Sequence, residues 1–440
     1  MPTARPTFRY PLILSQNRLL RYAVFFYLYM MQGLPAGFSL TALANYLTAE
    51  GVNPSVIGSF AAVVGLPWAF QFVWGTVIDR YQGSALGRRE PWVVGAQSLA
   101  FLASLSLLLV RNPVTQVQTL AWLFFAHSIF ASVQDASVDA MAISVIREEE
   151  RGRVNAFMRA GFLLGTGLGA AVFSHLLRRY GFFSAALTLS LSLLVLTLLT
   201  FFIRERPEDR LLPFRRKSQT AFSEPIVRPT VWRSPDFRWL FSELFKGLLA
   251  RRSLVLFGAV VAAYLSVSLF VRAYNYHLIQ VLGWADTSVS FLTGTYGMLV
   301  ATVSALVGGY LADWLGNRRF LLIVLALITG YLLIFNLIAE SWRWPSVAQA
   351  GLIAFYFMDP FISVAAMPML MAVCRPGVEG SQFTTYMAFV NLSDIAGTYL
   401  AGQALLYTGA PVIGLVAGGL VALALLAVFF LVRLPTVVAR

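Results

Sequence analysis

The chain has 440 residues, of which 58 % are hydrophobic and only 12 % charged, and its formal net charge at pH 7 is +13. No soluble domain buries that much apolar surface, so the composition excludes a soluble globular protein and predicts an all-α polytopic membrane protein. The single cysteine, Cys374, and three dispersed histidines exclude an internal disulfide and a cysteine–histidine metal cluster.

Apolar windows long enough to cross a bilayer recur twelve times, six on each side of a polar stretch. The first six are 21–48, 55–78, 91–111, 115–146, 153–175 and 181–203. The second six are 253–279, 286–312, 319–339, 345–373, 380–406 and 409–433. This pattern predicts an N-terminal six-helix half over residues 1–203, a linker over 204–250 and a C-terminal six-helix half over 251–440.

Basic residues are distributed unequally between the two faces of this predicted bundle. If the N-terminus is cytoplasmic, most of the 33 Lys and Arg residues fall on the cytoplasmic side, and the opposite loops hold only Arg111, Arg178, Arg179 and Arg343. This bias follows the positive-inside rule and predicts that both termini are cytoplasmic. The positive net charge is then explained by the membrane topology and by attraction to anionic lipid headgroups, and we expect no nucleic-acid partner.

The polar linker combines five prolines with mixed charges and ends in an amphipathic segment. Its apolar residues recur at helical spacing, at Phe237, Phe241, Leu244, Phe245 and Leu248. Such spacing predicts a helix lying on the inner membrane surface.

The fourth window contains the residues that we expect to carry the function. Asp135 and Asp139, preceded by Gln134, are four residues apart and therefore share one face of a helix. Each ionised Asp at the centre of a bilayer costs about 2.5–3.5 kcal/mol on insertion scales. One interpretation is a structural pair satisfied by a neighbouring helix. We favour a solute or proton site that faces an aqueous cavity.

Arg159 in the fifth window lies at a depth similar to that of Asp139, which predicts that the two pair across the helical hairpin. Asp135 would then be the more readily protonated carboxylate, because it is desolvated and has a like charge one turn away. The pattern thus predicts a proton-coupling set of Asp135, Asp139 and Arg159. The fifth window also spaces Gly161, Gly165 and Gly169 four apart, which favours close helix packing.

Several other polar residues within the windows are candidate substrate ligands. In the seventh window an intramembrane arginine adjoins aromatic and amide groups, which suits an anionic or polyhydroxylated ligand, at Arg272, Tyr274, Asn275 and Tyr276. Snorkelling of Arg272 to the outer headgroups is the alternative. The remaining candidates are Gln134, Asn391, Asp394, Gln32, Gln71, and Asp359, whose following proline predicts a broken helix.

A loop motif is repeated at corresponding positions of the two halves. The first copy contains Gly75, Asp79, Arg80, Gly87, Arg88 and Arg89, and the second contains Gly309, Asp313, Gly316, Arg318 and Arg319. The Asp can cap a neighbouring helix or pair with the arginines, so we expect a gating latch here and not a substrate site. Duplicated six-helix halves are typical of transporters.

This motif resembles the signature of the major facilitator superfamily, G-x-x-x-D-R/K-x-G-R-R between helices two and three. The first copy carries an insertion from Tyr81 to Leu86, and the second lacks the basic residue directly after Asp313. The resemblance implies alternating access around a central cavity, with helices three, six, nine and twelve outermost.

The fourth window resembles one branch of that superfamily more closely. Q-D-A-S-V-D-A followed by E-E-E-R-G, at 134–140 and 148–152, is similar to the muropeptide permease (AmpG) and acetyl-CoA transporter branch. The resemblance marks Gln134, Asp135 and Asp139 as the polar element and Arg151 as a loop anchor. The branch often has Lys where this chain has Gln71, and its related members import siderophores.

These observations, together with the resemblance, predict a monomeric, proton-coupled importer of a large polar or anionic small molecule of muropeptide type, without a cofactor, in a bacterial-type cytoplasmic (inner) membrane. A siderophore importer or a drug exporter of the same fold is an alternative, and a non-transporting membrane scaffold or receptor is an alternative of another class. An enzyme is not expected, because no nucleophile, phosphate loop or metal cluster is visible in the sequence.

Overall fold

The computed structural model describes residues 12–80, 87–146, 151–207, 209, 237–375 and 379–431. Within these ranges the chain forms helices joined by short turns, and the helices assemble into a bundle of twelve, labelled α1 to α12. The first six are α1 (Arg18–Ala49), α2 (Pro54–Ala69 and Gln71–Arg80), α3 (Glu90–Leu109), α4 (Val117–Val145), and α5 and α6 (Arg151–Phe201, divided at Gly181). The second six are α7 (Arg251–Val281), α8 (Asp286–Leu292, Thr293–Gly297 and Met298–Leu315), α9 (Asn317–Leu337), α10 (Pro345–Ala372), α11 (Glu379–Ala404) and α12 (Ala410–Leu431).

This architecture confirms the predicted all-α polytopic fold. Eight helical stretches of the described chain are long and apolar enough to cross a membrane, and one of them, Phe157–Phe201, contains parts of both α5 and α6. Gly181 divides these two helices with a φ of +82°, a left-handed conformation that glycine adopts without a Cβ clash. The division comes just after the turn that the apolar windows predicted at residues 176–180.

The helix starts follow local rules. The side chain of Asn17 accepts a hydrogen bond from the Leu20 N–H at 3.1 Å, and that of Asn53 accepts one from the Ser55 N–H at 2.9 Å. Both are N-caps, and Pro54 occupies the first position of α2, where no N–H is needed. The sequence therefore specifies where these helices begin without help from tertiary contacts.

Three helices contain a π-helical turn in the part of the bundle where the halves meet. These turns are Phe38–Leu43 in α1, His277–Val281 in α7 and Thr293–Gly297 in α8. In α10 a 3₁₀ turn, Phe355–Phe357, immediately precedes the segment that begins at Met358, so the break predicted at Asp359–Pro360 lies slightly earlier. Such irregularities redirect backbone carbonyls and are frequent at functional sites.

Each half has its own hydrophobic core. The buried clusters of the N-terminal half (α1–α6) surround residues such as Phe38, Phe60 and Phe124, whereas that of the C-terminal half (α7–α12) is built on Phe270 and Trp342. The principal helix contacts between the halves are α2 with α11 and α5 with α8. Two separately packed bodies joined by a limited interface are able to move relative to each other.

A linker helix, Phe237–Leu249, precedes α7 and packs against the C-terminal half. The Glu243 carboxylate lies 2.8 Å from the Lys246 ammonium and 3.1 Å from the Arg375 guanidinium, just before α11. Phe245 and Leu249 are exposed. The segment predicted to be amphipathic forms a helix here, while its position on a membrane surface and the boundaries at 203 and 251 stay predictions.

The bundle has two distinguishable ends. We call the end that carries the start of α1, the end of α12 and the linker helix the proximal end, and the opposite end the distal end. The turns α1–α2, α5–α6 and α7–α8 lie at the distal end. Under the positive-inside prediction, the proximal end faces the cytoplasm.

Candidate functional site

Asp135 and Asp139 of α4, here called the acidic pair, lie between α1 and α2. The Gln71 amide of α2 donates a hydrogen bond to Asp135 Oδ2 at 2.5 Å, and the Tyr29 hydroxyl of α1 donates one to Asp139 Oδ1. Gln32 is buried beside Asp135, whose Oδ1 is buried without a hydrogen-bond partner in the described chain. Both carboxylates are therefore held by neutral donors.

The pairing predicted between Asp139 and Arg159 is wrong. Arg159 of α5 instead donates to Asp359 Oδ2 of α10 at 2.8 Å, so its ion pair joins the two halves. Similar depth in the membrane does not fix the direction in which a side chain leaves its helix, since each residue turns the helix by about 100°. The acidic pair consequently has no cationic partner among the ion pairs of the described residues.

Gln134 does not face a cavity in this conformation. Its side chain is 2 % exposed, and its amide lies 3.4 Å from the Leu28 carbonyl oxygen of α1. The contact joins α4 to α1 inside the N-terminal half. The predicted role of Gln134 as a substrate ligand is therefore replaced by a packing role.

The C-terminal half places charged groups at the middle of the bundle. Asp394 of α11 is exposed and accepts a hydrogen bond from the Ser268 hydroxyl of α7. The side chains of Arg159 and Asp359 are 44 % and 47 % exposed. Asn391, one turn before Asp394, is half-buried with its amide 3.4 Å from the Trp68 carbonyl oxygen of α2. The predicted candidates Asp359, Asp394 and Asn391 thus all lie where the halves meet.

Arg272 points inward and does not snorkel. Its guanidinium donates to the Leu40 carbonyl oxygen in the π-helical turn of α1. Asn275 and Tyr276 line a cavity of about 30 Å³ beside it, between α1, α2, α7 and α11. Asn275 is 6 % exposed and its Oδ1 lacks a partner in the described chain. A cavity of that size holds a water molecule but no large solute.

The prediction that Tyr274 binds substrate is wrong. Its side chain is 1 % exposed, and its hydroxyl donates to the Ala348 carbonyl oxygen of α10 at 3.0 Å. The ring stacks into an aromatic cluster, with its centroid 4.9 Å from that of Trp342. Tyr274 follows Arg272 by two residues, so the helix turns it to the opposite side, into the core.

Polar contacts join the halves at the distal end. Arg178 of α5 contacts Asp286 of α8 at 2.9 Å and Glu50, just after α1, at 2.6 Å. The Asn45 amide donates to the Ser290 hydroxyl at 2.9 Å across the same interface. We call these contacts the distal closure.

Glycines bring the halves into backbone contact beneath the distal closure. A Cβ on Gly167 of α5 would meet the Gly294 carbonyl oxygen of α8, and one on Gly402 of α11 would approach Gly58 of α2. Helices that approach this closely leave no passage between them. The structure is therefore closed at its distal end, and Arg159, Asp359 and Asp394 lie on the proximal side of this seal.

Comparison with known proteins identifies the family. Residues 24–261, more than half of the chain, match the family model described as Major Facilitator Superfamily. The chain belongs to the Major Facilitator Superfamily. It is thus a multi-pass membrane protein of a transporter superfamily, as the sequence predicted.

Superfamily members similar to this chain support the predicted branch. It is 26 % identical over 303 residues to the anhydromuropeptide permease of Escherichia coli (strain K12), covering 69 % of this chain but only 57 % of that protein's length. It is 24 % identical over 393 residues to the putative transporter AmpG 4 of Rickettsia conorii, covering 86 % of this chain and 88 % of the relative.

A solved superfamily structure confirms the fold. The nucleoside transporter NupG superposes with a TM-score of 0.66 at 14 % identity, covering 94 % of this chain and 100 % of NupG. At this identity the likeness concerns the fold alone.

The repeated superfamily motif lies at the proximal ends of α2–α3 and α8–α9. Gly75, the side chains of Asp79, Arg80 and Asp313, and the loop anchor Arg151 lie outside the residues whose side chains the structure describes. Of the others, Arg88 and Arg319 are exposed, Arg89 is 9 % exposed, Gly309 has open space around it, and Arg318 donates to the Phe429 carbonyl oxygen of α12 at 3.1 Å. The gating role of the motif stays a prediction.

Several residues that the structure brings to these sites are not evident from sequence. Tyr29 reaches the acidic pair from α1, and Ser268 reaches Asp394 from α7. The sequence marks Arg178 only as a loop charge, although Asp286, an Asp at a helix start, is a detectable type of partner for it. Neutral hydroxyl donors on apolar helices are too common for sequence reasoning to single them out.

Proposed function

We propose that this protein is a proton-coupled importer of a large polar or anionic solute of muropeptide type, which works by alternating access as a monomer. In this proposal it resides in the cytoplasmic membrane with both termini in the cytoplasm. The acidic pair binds and releases the coupling proton, and the solute occupies the space between the halves.

This proposal rests on one observation. Among the ion pairs of the described residues, none joins a cationic side chain to Asp135 or Asp139. Two like charges one turn apart in a desolvated site repel each other, so the pair favours holding a proton over full ionisation. Neutral donors such as Gln71 and Tyr29 stabilise a carboxylate without fixing its charge. The pair therefore suits a site that is neutral on one transit and charged on another.

Gln71 distinguishes this chain from the branch that it resembles. A Lys at this position would lie within reach of Asp135 Oδ2 and hold it ionised through a charge-assisted hydrogen bond. The neutral amide leaves Asp135 free to change its charge. This difference favours proton coupling at Asp135.

The names of the relatives and the closed distal end support the solute class and the direction of transport. One E. coli relative is named anhydromuropeptide permease, so a muropeptide is the first solute to test. With the proximal end in the cytoplasm, the distal closure seals the outer face. In this proposal, the described conformation is the one that releases an imported solute inward.

Uptake into proteoliposomes tests the proposal. The purified full-length protein is reconstituted, and uptake of an anhydromuropeptide, a ferric siderophore and an acyl-CoA is measured with and without an acidic exterior. We expect the gradient to accelerate anhydromuropeptide uptake at least tenfold, and Asp135→Asn to abolish the acceleration. Glu340→Gln, an exposed residue at the distal end, is the matched control. Uptake that does not depend on the pH gradient, or uptake by Asp135→Asn that is still fully coupled to the gradient, contradicts the proposal.

A further inference from the structure

Three accessible charged side chains converge at the middle of the bundle and are here called the charge triad: Arg159, Asp359 and Asp394. They come from α5, α10 and α11 and therefore from both halves. Arg159 and Asp359 form an ion pair at 2.8 Å, and the charge of Asp394 interacts with those of Arg272 and Asp359. Each half thus contributes a charge of opposite sign to a shared site.

The ion pair within the charge triad is easily opened. Its two side chains are 44 % and 47 % exposed, and exposed ion pairs contribute little to stability. A ligand that offers one carboxylate and one cationic group replaces both partners at once and leaves no charge unpaired. A ligand with a single charge leaves one member of the pair without a partner.

The groups around the charge triad decide which charges a ligand meets there. The Arg272 guanidinium donates to the Leu40 carbonyl oxygen, but its charge still acts on Asp394, which accepts a hydrogen bond from the Ser268 hydroxyl. Tyr264 lies next to the charge triad, and its side chain is only 8 % exposed. Counted with Arg272, the site holds two cations and two carboxylates, a balance that favours a ligand carrying both a cationic and an anionic group.

We infer that the charge triad is a binding site for a zwitterionic solute, in which Arg159 binds a carboxylate while Asp359 and Asp394 bind an ammonium group. The inference rests on the proposed transport function and narrows its solute class to molecules with a free amino group and a free carboxyl group, as at the ends of a peptide. The proton site is separate, since the acidic pair takes no part in this binding.

Binding without transport tests this inference. The purified full-length protein in detergent is titrated calorimetrically at one pH with trialanine, N-acetyl-trialanine, trialanine amide and N-acetyl-trialanine amide. We expect trialanine to bind most tightly, with roughly a tenfold loss for blocking either end and the weakest binding when both ends are blocked. Tenfold corresponds to about 1.4 kcal/mol, a typical value for one charge-assisted contact.

Variants assign each end of the peptide to its residue. Arg159→Gln should remove the preference for a free carboxylate over the amide, and Arg159→Lys should restore it in part. Asp394→Asn should remove the preference for the free amine over the N-acetyl form. Arg343→Gln, an exposed arginine in a distal turn, should leave all four affinities unchanged. Size-exclusion profiles identical to that of the parent protein establish that the variants are folded.

The outcomes separate this inference from the proposed function. Equal affinities for the four compounds, tightest binding of the N-acetyl form, or no detectable binding would each overturn the zwitterion site. Gradient-driven uptake of another solute would then leave the proton-coupled function standing. Conversely, the expected binding order without any gradient dependence of uptake would overturn proton coupling and retain the charge triad.

Discussion

The charge state of a buried carboxylate depends on which donors reach it. In the acidic pair the donors are an amide and a phenol, from Gln71 and Tyr29, on two different helices. A cation in either place would favour the ionised form so strongly that proton release and uptake would cease. Neutral donors bond to either form, because Gln71 can also accept and the Tyr29 hydroxyl can rotate.

Replacing Gln71 tests this argument directly. We expect Gln71→Lys to pair with Asp135, to hold it ionised, and to make uptake in proteoliposomes independent of an imposed pH gradient. Gln71→Met is the matched control, since it has similar volume and adds no charge. If both variants lose coupling equally, loss of the amide and not the added charge is responsible.

A second carboxylate, Glu205, lies outside the membrane-spanning helices at the proximal end. It is 1 % exposed, and one of its oxygens accepts hydrogen bonds from the backbone N–H groups of Arg89 and Glu90 at the start of α3. Burial raises the pKa of the Glu205 carboxyl, although these hydrogen bonds oppose the rise. The folded protein therefore holds this proton at a pH at which the unfolded chain has lost it.

This raised pKa makes stability depend on pH. The contribution of Glu205 is fully present below the ordinary pKa of Glu and is lost as the pH rises through the folded value. We expect Glu205→Gln, which keeps an acceptor oxygen, to reduce the loss of Tm with rising pH and to raise Tm at alkaline pH. Thermal unfolding of both proteins between pH 4 and 9 measures this. A Glu205→Gln curve parallel to that of the parent would show that the carboxyl does not titrate there.

At the scale of elements, α5 uses glycines on two faces for two different purposes. Gly161, Gly165 and Gly169 each meet a backbone carbonyl of α1, which confirms the close packing predicted for this face. Gly167 lies on another face and meets Gly294 of α8, in the other half. The first face belongs to the fixed core of one half, whereas the second belongs to an interface that must open during transport.

Substitution by valine distinguishes these two faces. We expect Gly165→Val to destabilise the fold by about 1–3 kcal/mol, since its side chain would collide with backbone in a packed interior. Gly167→Val should leave Tm nearly unchanged but lower the uptake rate by tenfold or more, because the distal end no longer closes. Gly258→Val is the control, as its Cβ would meet no neighbour. Equal effects on Tm at positions 165 and 167 would contradict the division of roles.

At the scale of the molecule, two separately packed halves meet through contacts that are individually weak. Arg178 and Glu50 of the distal closure are each 35 % exposed, so their ion pair contributes little alone. Asp286 is 4 % exposed and gives the network its one buried charge. Little free energy is needed to open an interface of this kind, and alternating access requires such opening.

Cross-linking tests whether the distal closure must open. Asn45→Cys with Ser290→Cys, in a Cys374→Ala chain, places one thiol on each side of the closure where the parent side chains lie 2.9 Å apart. We expect a short bifunctional thiol reagent to abolish uptake, and either single-cysteine variant to retain most of its uptake after the same treatment. Undiminished uptake by the cross-linked protein would show that transport does not require separation at this point.

The sequence alone determined the membrane class, the twelve helices, their grouping into halves and the presence of acidic residues in α4. These properties depend on hydropathy, helix caps and residue spacing. Because these features are local, the properties can be predicted without knowing which helices are neighbours. The repeated loop and the Q-D-x-x-x-D element also led to the superfamily, which the match over residues 24–261 confirmed.

Only the tertiary structure decided which side chains meet. Arg159 pairs with Asp359 in the other half and not with Asp139, Tyr274 enters the core, and Tyr29 reaches the acidic pair. Each of these outcomes depends on the rotation of a helix about its axis and on which helices adjoin it. Depth along a helix follows from counting residues, but direction around it is set by packing against the other helices.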